Sequence, residues 1–255
     1  MTQRPYLPWL MLLLACSGTP PASPDPAPRA QPRINVLFIG NSYTYVNDLP
    51  GMFTRLAAAG GFDAEAAMVA AGGWTLADHA ASGQTLEAIQ RTKWDYVVLQ
   101  EQSEVPAIER ERVESMYPAV RRLVRAIAAV GGTPVLFMTW GHREGLHEEG
   151  FKDFEAMQSE LSEGYARIAR ELGVEVAAVG NAWRNARART PEISLWQPDG
   201  SHPTVHGSYL AACVLYSTVF KRSPVGLSYS AGLPMERARA LQSIAAAAVS
   251  RERTS

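Results

Sequence analysis

Residues 34–50 read INVLFIGNSYTYVNDLP, and this stretch begins the fold and carries its most informative polar residue. Its first six residues form an apolar and β-branched run, which is typical of a strand that is covered on both faces. Asn41 and Ser42 follow at the end of this predicted strand, where a helix begins. A serine at such a point either caps the helix or acts as a nucleophile, and the rest of the chain must distinguish the two roles.

The same succession of strand and helix continues along the chain. We predict strands at residues 34–39, 62–70, 95–100, 133–140 and 174–180, and closing helices at 204–220 and 235–251. Strands that alternate with helices imply right-handed crossovers and a parallel sheet with helices on both faces. The sequence therefore predicts a three-layer α/β/α domain around a doubly wound five-stranded parallel sheet, in which ligands bind beyond the carboxyl ends of the strands.

Composition bounds the size and the partners of this domain. The chain has 255 residues, of which 47% are hydrophobic, and a formal net charge of −1. This length and apolar content suit a single domain with a full core. The near-neutral charge gives no basic excess, so we expect no nucleic-acid partner. Cys213 lies in an apolar helical run and is expected to be a small buried side chain rather than a redox group.

The first 32 residues have a different character. Residues 1–15 combine an early Arg4 with a short apolar stretch, the pattern of a signal peptide. The sequence LLAC at 13–16 resembles a bacterial lipobox, in which Cys16 would carry the lipid. Residues 16–32 are rich in Pro, Ala and Ser and predict an extended tether before a folded domain at 33–255. We expect an exported envelope lipoprotein in the outer membrane or at the cell surface, and otherwise a secreted or periplasmic protein.

A second polar segment follows the last predicted strand. Residues 196–207 read WQPDGSHPTVHG and bring Asp199 and His202 into one short loop. The carboxylate can accept from one imidazole nitrogen and leave the other to face a serine. His206 could join them in a metal site, but Pro203 separates the two histidines and His202 precedes the predicted helix. We therefore expect no metal here.

Four short stretches together resemble a known family. GNSYT, AAGGWTL, LQEQS and DGSHP occur in the order of the four signatures of SGNH hydrolases, also called GDSL esterases and lipases. The resemblance implies a flavodoxin-like fold and a reaction without a cofactor. It also implies that Ser42 is the nucleophile and that Asp199 and His202 are the acid and base. The second signature would contribute the N–H of Gly73 to the oxyanion hole, with Gly72 as the alternative.

The sequence departs from the family pattern at two points. The usual G-D-S is G-N-S, with Asn41 in the position of the aspartate. The usual G-x-N-D after the third strand is replaced by LQEQSE, which is similar to a Q-G-E-S found in a branch of carbohydrate acetylesterases. A glutamine carries the same amide donor as asparagine on a longer stem. Gln100 is our first candidate for the side-chain donor to the oxyanion, and Gln102 is the second.

Other polar and aromatic residues follow the predicted strands and could contact a substrate. These candidates are Asn41, Trp74, Trp140 and His142, whereas His79 is expected at the surface. Together the patterns predict an extracytoplasmic serine esterase that acts through an acyl-enzyme on Ser42. Its substrate would be a short-chain ester, such as an O-acetyl group on a glycan. The alternative is a non-catalytic, envelope-associated carbohydrate-binding protein that keeps the hydrolase fold.

Overall fold

The structure is a computed structural model that describes residues 1–2 and 32–252. The chain divides into residues 1–30 and 31–255, and all elements below belong to the second unit. The predicted signal peptide, Cys16 and nearly all of the predicted tether lie outside the described residues. Among the residues that are described, no helix is both long and apolar enough to cross a membrane.

Five parallel strands form the centre of the domain, as predicted. They are β1 (Ile34–Gly40), β2 (Ala64–Ala70), β3 (Tyr96–Leu99), β4 (Thr133–Phe137) and β5 (Glu175–Ala177). Their order in the sheet is β2-β1-β3-β4-β5, so the chain moves outward from β1 to β2 and then returns to the other side of β1. The strand order therefore reverses next to β1, which places the expected ligand crevice at the carboxyl ends of β1 and β3.

Ten helices cover the two faces of the sheet in the described part of the chain. They are α1 (Ser42–Tyr45), α2 (Leu49–Ala59), α3 (Leu76–Ala81), α4 (Gly83–Arg91), α5 (Glu109–Glu111), α6 (Tyr117–Ala129), α7 (Phe154–Leu172), α8 (Val179–Arg189), α9 (Val205–Phe220) and α10 (Met235–Glu252). Short 3-10 turns lie at Val46–Asp48 and His147–Glu149, and a π-helical turn at Arg112–Met116 lies between α5 and α6. Side-chain caps begin several helices, including Asp153 at α7, whose Oδ1 accepts the Ala156 N–H.

Successive side chains along a strand pack into two separate hydrophobic cores, one on each face of the sheet. Phe38 of β1 faces the core that also contains Phe53 and the helices α8, α9 and α10. Ile39 faces the opposite core, which contains Leu123 and the helices α3, α4, α6 and α7. This alternation explains why β1 is apolar on both faces. Helix α9 is buried along most of its length, and Cys213 is a buried free cysteine there, as expected.

Helix α8 is not predicted by the sequence pattern. Residues 174–180 were predicted as a strand, but β5 ends at Ala177 and α8 begins at Val179. A side chain at Gly180 would collide with the Thr139 carbonyl and the Gln158 amide. The close packing of α8 on the end of β4 therefore requires glycine, and this contact is not encoded in the local apolar pattern.

Candidate active site

The turn after β1 resolves the two possible roles of Ser42. Asn41 is the residue that caps α1, because its Oδ1 accepts the backbone N–H of Tyr43 at 3.1 Å. The Ser42 hydroxyl is therefore not needed as a cap. As the first residue of α1, Ser42 also has a backbone N–H without an acceptor inside the helix. Both groups of Ser42 are available to a ligand at the positive end of this helix.

Three side chains form a continuous chain of hydrogen bonds. The Ser42 Oγ lies 2.9 Å from the His202 Nε2, although 160 residues separate the two in sequence. The His202 Nδ1 lies 2.7 Å from the Asp199 Oδ2. With the Nδ1–H donating to the carboxylate, Nε2 is the acceptor for the serine hydroxyl. This is the arrangement in which an imidazole can accept the proton of a nucleophilic serine.

Asp199 is held in its ionised form by its own loop. Its Oδ1 accepts the backbone N–H groups of Ser201 at 2.9 Å and His202 at 3.0 Å. Partial burial acts to raise the pKa of Asp199, but these hydrogen bonds and the imidazole outweigh it and lower the pKa below its ordinary value. An acid that stays ionised can stabilise the imidazolium formed during catalysis.

The loop after β4 clamps the loop that carries Asp199. The Arg143 N–H donates to the Gly200 carbonyl at 2.8 Å, and the Trp140 indole Nε1 donates to the Ser201 carbonyl at 3.0 Å. Trp140 is fully buried between Tyr43, at 4.4 Å between ring centroids, and Trp183, at 4.0 Å. The expectation that Trp140 contacts substrate is therefore wrong. Its ring has no exposed face, and it supports the catalytic loop instead.

The loop between β2 and α3 brings a glycine beside Ser42. Gly73 has a φ of +73°, and the space next to its Cα is open. Gly72 is also exposed, and both glycines line the same pocket as Ser42. The Asn41 Nδ2 donates to the Trp74 carbonyl at 2.9 Å, which fixes this loop against the turn that carries Ser42. The Asn41 side chain thus makes hydrogen bonds through both its oxygen and its nitrogen, and Asn41 also lines the pocket, so its contact with substrate stays a prediction.

Gln100 does not face the pocket, which contradicts our first choice of oxyanion donor. Its Oε1 accepts the Asn41 N–H at 3.0 Å and the Thr44 hydroxyl at 2.8 Å. Its Nε2 donates to the Asn41 Oδ1 at 2.9 Å and to the Glu101 carbonyl at 2.5 Å. Both amide hydrogens are therefore occupied. The fully buried Gln100 braces the turn that presents Ser42 rather than reaching the oxyanion.

Gln102, the second candidate donor, lies at the pocket, whereas Gln100 does not. It lines the pocket together with Ser42 and Gly73. Its Oε1 accepts the backbone N–H groups of Glu104 at 2.7 Å and Val105 at 3.2 Å. These contacts fix the orientation of the amide, and among the described residues no acceptor for its Nε2 is found. The amide nitrogen is a preorganised donor at the wall of the pocket.

The pocket around Ser42 is small, and most of the residues that line it have polar side chains. Its volume is about 290 Å³, and Tyr45, which is 41% exposed, stands at its edge. Ser103 and Ser201 also line it, and each hydroxyl lies within 3.3 Å of the Nε2 of His142. The sequence patterns did not single out Tyr45, Ser103 and Ser201 as pocket residues, although Ser103 ends LQEQS and Ser201 lies within DGSHP. A larger groove of about 690 Å³ lies between α7 and β5 and includes none of the three hydrogen-bonded residues.

Trp74 and His142, the remaining predicted substrate contacts, are not among the residues that line the pocket. His142 is half-buried, and burial lowers its pKa below the ordinary value, which favours a neutral imidazole. The ring of Trp74 packs edge-on against His79, at 5.0 Å between centroids. His79 was expected at the surface but is fully buried, where its Nε2 donates to the Gly40 carbonyl at 2.8 Å. Within the described residues, no three His, Cys, Asp or Glu side chains are grouped as metal ligands would be.

Comparison with known proteins identifies this arrangement. Residues 38–210 match the GDSL-like lipase/acylhydrolase family, a span that includes Ser42, Asp199 and His202. The chain belongs to this family. Its SGNH/GDSL membership makes the protein a hydrolase.

Solved structures show the same fold. A candidate SGNH hydrolase from Slackia heliotrinireducens is 32% identical, with a TM-score of 0.64 over 74% of this chain and 100% of that one. A DUF4886 family protein from Bacteroides uniformis is 21% identical, with a TM-score of 0.75 over 86% of this chain and 95% of that one. An acetyl xylan esterase is 13% identical, with a TM-score of 0.59 over 73% of this chain and 100% of that one. No curated protein matches the sequence.

Proposed function

We propose that this hydrolase is a serine esterase that cleaves short-chain esters through an acyl-enzyme on Ser42. The observation that carries the proposal is the hydrogen-bond chain from Asp199 through His202 to the Ser42 hydroxyl, with distances of 2.7 and 2.9 Å. A protein that only binds carbohydrate does not need these three hydrogen-bonded side chains. Hydrogen bonding to a neutral imidazole is what makes a serine hydroxyl nucleophilic near neutral pH.

The first half of the reaction forms the acyl-enzyme. The Ser42 Oγ attacks the ester carbonyl carbon while His202 Nε2 takes the serine proton. The carbonyl oxygen becomes an anion, which the N–H groups of Ser42 and Gly73 and the amide of Gln102 stabilise. The intermediate collapses, the bond to the alkoxy oxygen breaks, and the imidazolium gives its proton to the departing alcohol.

The second half returns the enzyme to its starting state. A water molecule attacks the acyl carbon and gives a proton to His202. The same three donors hold the second oxyanion. When the bond to Ser42 Oγ breaks, the imidazolium returns the proton to the serine and a carboxylic acid is released. Asp199 stays ionised throughout, in keeping with its lowered pKa.

The pocket favours a small acyl group on a hydroxyl-rich alcohol. A volume of about 290 Å³ with polar groups at Gln102, Ser103 and Ser201 suits an acetyl group better than a long alkyl chain. The exposed ring of Tyr45 at the edge offers a surface on which a sugar ring can stack. An O-acetylated glycan is therefore the substrate class that we propose, and one protein of this fold is an acetyl xylan esterase.

The location that we propose is the bacterial envelope. It rests on the sequence of residues 1–32, with its charged start, apolar stretch, LLAC and Pro-rich tether. A lipid on Cys16 would attach the domain to a membrane, where acetylated cell-envelope or external polysaccharide is accessible. Without the lipid, the same signal would produce a secreted or periplasmic enzyme.

Activity-based labelling combined with esterase kinetics tests the function. The parent protein should be labelled by a fluorophosphonate and should hydrolyse p-nitrophenyl acetate faster than the octanoate. Ser42→Ala should lose the label, and Ser42→Ala and His202→Ala should each lower kcat by roughly 10⁴-fold or more, with the double variant little worse. Ser243→Ala in α10, an exposed serine, is the control and should behave as the parent.

Two outcomes would contradict the proposal. Near-normal turnover in Ser42→Ala would exclude the acyl-enzyme mechanism. A folded parent protein that neither takes up the label nor cleaves any p-nitrophenyl ester or acetylated xylooligosaccharide would instead support the non-catalytic binding protein.

A further inference from the structure

Glu101 has no role in the reaction described above, yet it lies between two of its components. The side chain is fully buried, directly after Gln100. Its Oε1 accepts the backbone N–H of Leu76 at 2.9 Å and the backbone N–H of Gln102 at 2.7 Å. Leu76 begins α3 at the end of the loop that contains Gly73. One carboxyl oxygen therefore connects the two segments that carry Gly73 and Gln102.

The second oxygen of Glu101 is in an unusual position. Its Oε2 is buried without a hydrogen-bond partner among the described residues. The Tyr165 hydroxyl lies beside both Glu101 and Thr139, and the hydroxyls of Tyr165 and Thr139 are likewise buried without a hydrogen-bonding geometry to any described partner. Burial of an unpaired carboxyl oxygen destabilises a fold. The favourable contribution of Glu101 therefore comes from Oε1 and the two backbone N–H groups that it holds.

We propose that Glu101 is a positioning residue of the oxyanion hole, whose Oε1 sets the separation between the Gly72–Gly73 loop and Gln102. It does not touch the substrate. The inference rests on the proposed function, since it concerns the donors of that mechanism. A second fixed point supports the same loop, because the Trp74 carbonyl accepts from Asn41 at 2.9 Å. Asn41 and Glu101 therefore hold two points, Trp74 and Leu76, that closely follow Gly73 in the chain.

Substitutions that remove or move the acceptor should affect kcat rather than KM. Glu101→Ala leaves the N–H groups of Leu76 and Gln102 without their acceptor, so the donors lose their fixed separation. The charge on the oxyanion develops only in the transition state, so we expect kcat to fall by about 100-fold with KM nearly unchanged. Glu101→Gln keeps an oxygen in the place of Oε1 and should retain kcat within about 10-fold.

A third variant covers the case in which Glu101→Ala does not fold. Glu101→Asp keeps the carboxyl group but withdraws it by one methylene, so it cannot reach both N–H groups. Its kcat should fall between those of the Gln and Ala variants. The order of kcat, with Gln above Asp, is opposite to the order expected if only the charge of the side chain were important.

Gln242→Ala in α10 is the matched control. Gln242 is also fully buried, and its Oε1 accepts the backbone N–H of Gly226 at 3.0 Å. It belongs to a different part of the fold from the pocket. Its removal should lower the melting temperature without changing kcat. The measurements are kcat and KM for p-nitrophenyl acetate, the melting temperature, and the rate of fluorophosphonate labelling.

The result identifies which proposal fails. If Ser42→Ala keeps its turnover, the proposed function is wrong. If Ser42→Ala is inactive while folded Glu101→Ala and Glu101→Asp keep the parent kcat, the positioning role alone is overturned. A kcat loss in Gln242→Ala as large as that in Glu101→Ala would also overturn it, because the effect would then follow from general destabilisation.

Discussion

Asn41 and Gln100 hold the turn at the start of α1, so the Ser42 hydroxyl is not needed to cap this helix. Asn41 caps α1 and reaches across to the Trp74 carbonyl, and Gln100 holds both the N–H and the side chain of Asn41. Gly40 makes this possible, since a side chain there would collide with the Gln100 amide and the Thr44 hydroxyl. Buried hydrogen bonds of this kind fix a single geometry, because leaving any one of them unpaired is costly. These hydrogen bonds fix the turn that carries Ser42.

Gln102 is the residue at which the oxyanion hole can be tested directly. Gln102→Ala should lower kcat by roughly 10²- to 10³-fold, the usual cost of losing one oxyanion donor. Gln102→Glu keeps the oxygen that accepts from Glu104 and Val105 but replaces the donor, so it should lose as much activity while preserving the turn. If both variants stay within about 3-fold of the parent kcat, Gln102 is not a donor.

The loops that follow the strands assemble the site, because the strands end at one edge of the sheet. Ile39 of β1 pairs with Val69 of β2 and with Leu99 of β3, so the segments after these three strands begin side by side. The loop after β4 adds Trp140 and Arg143, which hold the loop of Asp199 and His202. Each element contributes only one or two groups, and the parallel register brings them together.

Trp140 links the packing of these elements to catalysis. Trp140→Phe keeps an aromatic ring but removes the indole donor to the Ser201 carbonyl. The catalytic loop then loses a fixed point, and we expect kcat to fall by about 10-fold or more, since a misplacement of about 1 Å can cost roughly 100-fold. The free energy of unfolding should fall by about 1–3 kcal/mol because volume and a hydrogen bond are lost.

Trp183→Phe is the control for this prediction. Trp183 is fully buried and stacks on Trp140, but its Nε1 has no hydrogen-bond partner among the described residues. The control therefore loses similar volume without losing a hydrogen bond to the loop. Stability and kcat measured on both variants separate the two effects. Equal kcat losses in the two variants would contradict a specific role of the Trp140 indole.

The stability of the domain should depend on pH through Glu101. Burial is the main cause that raises the pKa of Glu101, to about 7 from an ordinary value of 4.5, although the N–H groups of Leu76 and Gln102 act to lower it. Asp78 adds a smaller upward contribution. The folded protein thus binds a proton that the unfolded chain releases between these values, so this contribution is present below about pH 4.5 and is lost as pH rises towards 7.

Glu101→Gln isolates this contribution because it cannot titrate. Relative to this variant, the parent should lose on the order of 3 kcal/mol of unfolding free energy between pH 4.5 and pH 7. Urea unfolding of both proteins at half-unit pH intervals measures the difference. A difference that stays constant over this range would show that Glu101 is not protonated in the folded protein. The comparison is internal, so other titrating groups, such as Asp199, cancel.

Attachment of the whole protein to a membrane is predicted to depend on Cys16, which lies outside the described residues. Cys16→Ser should abolish incorporation of a palmitate analogue and release the protein from the membrane fraction, since stable attachment depends on the acyl chains. Cys213→Ala is the control, because that cysteine is buried in α9 and should not affect lipidation. The natural protein could instead be recovered in the soluble fraction with an unmodified N-terminus beyond residue 16. That result would contradict the lipid anchor and support a secreted protein.

The strands, their parallel arrangement and the residues of the hydrogen-bond chain were predictable from short stretches of sequence. Buried strands require apolar runs of limited length, and such runs are visible at residues 34–39 or 95–100 without knowledge of their neighbours. Ser42, Asp199 and His202 were recognisable because each stands in a short motif. Helix α8 was not predictable in this way, because the glycine that marks its packing on β4 lies inside an apolar run that reads as a strand.

The tertiary structure alone revealed that Trp140 and His79 are buried. The proposed oxyanion donor and the proposed positioning role of Glu101 also rest on the folded arrangement. Gln100 and Gln102 are two positions apart and chemically identical, so no local pattern ranks them. Their roles are set by partners 59 residues away at Asn41 and by hydrogen bonds within the turn at 102–105. The hydrogen-bond partners of the two glutamine amides come from three loops that meet only in the folded protein. Which amide hydrogens remain free is therefore decided by tertiary structure.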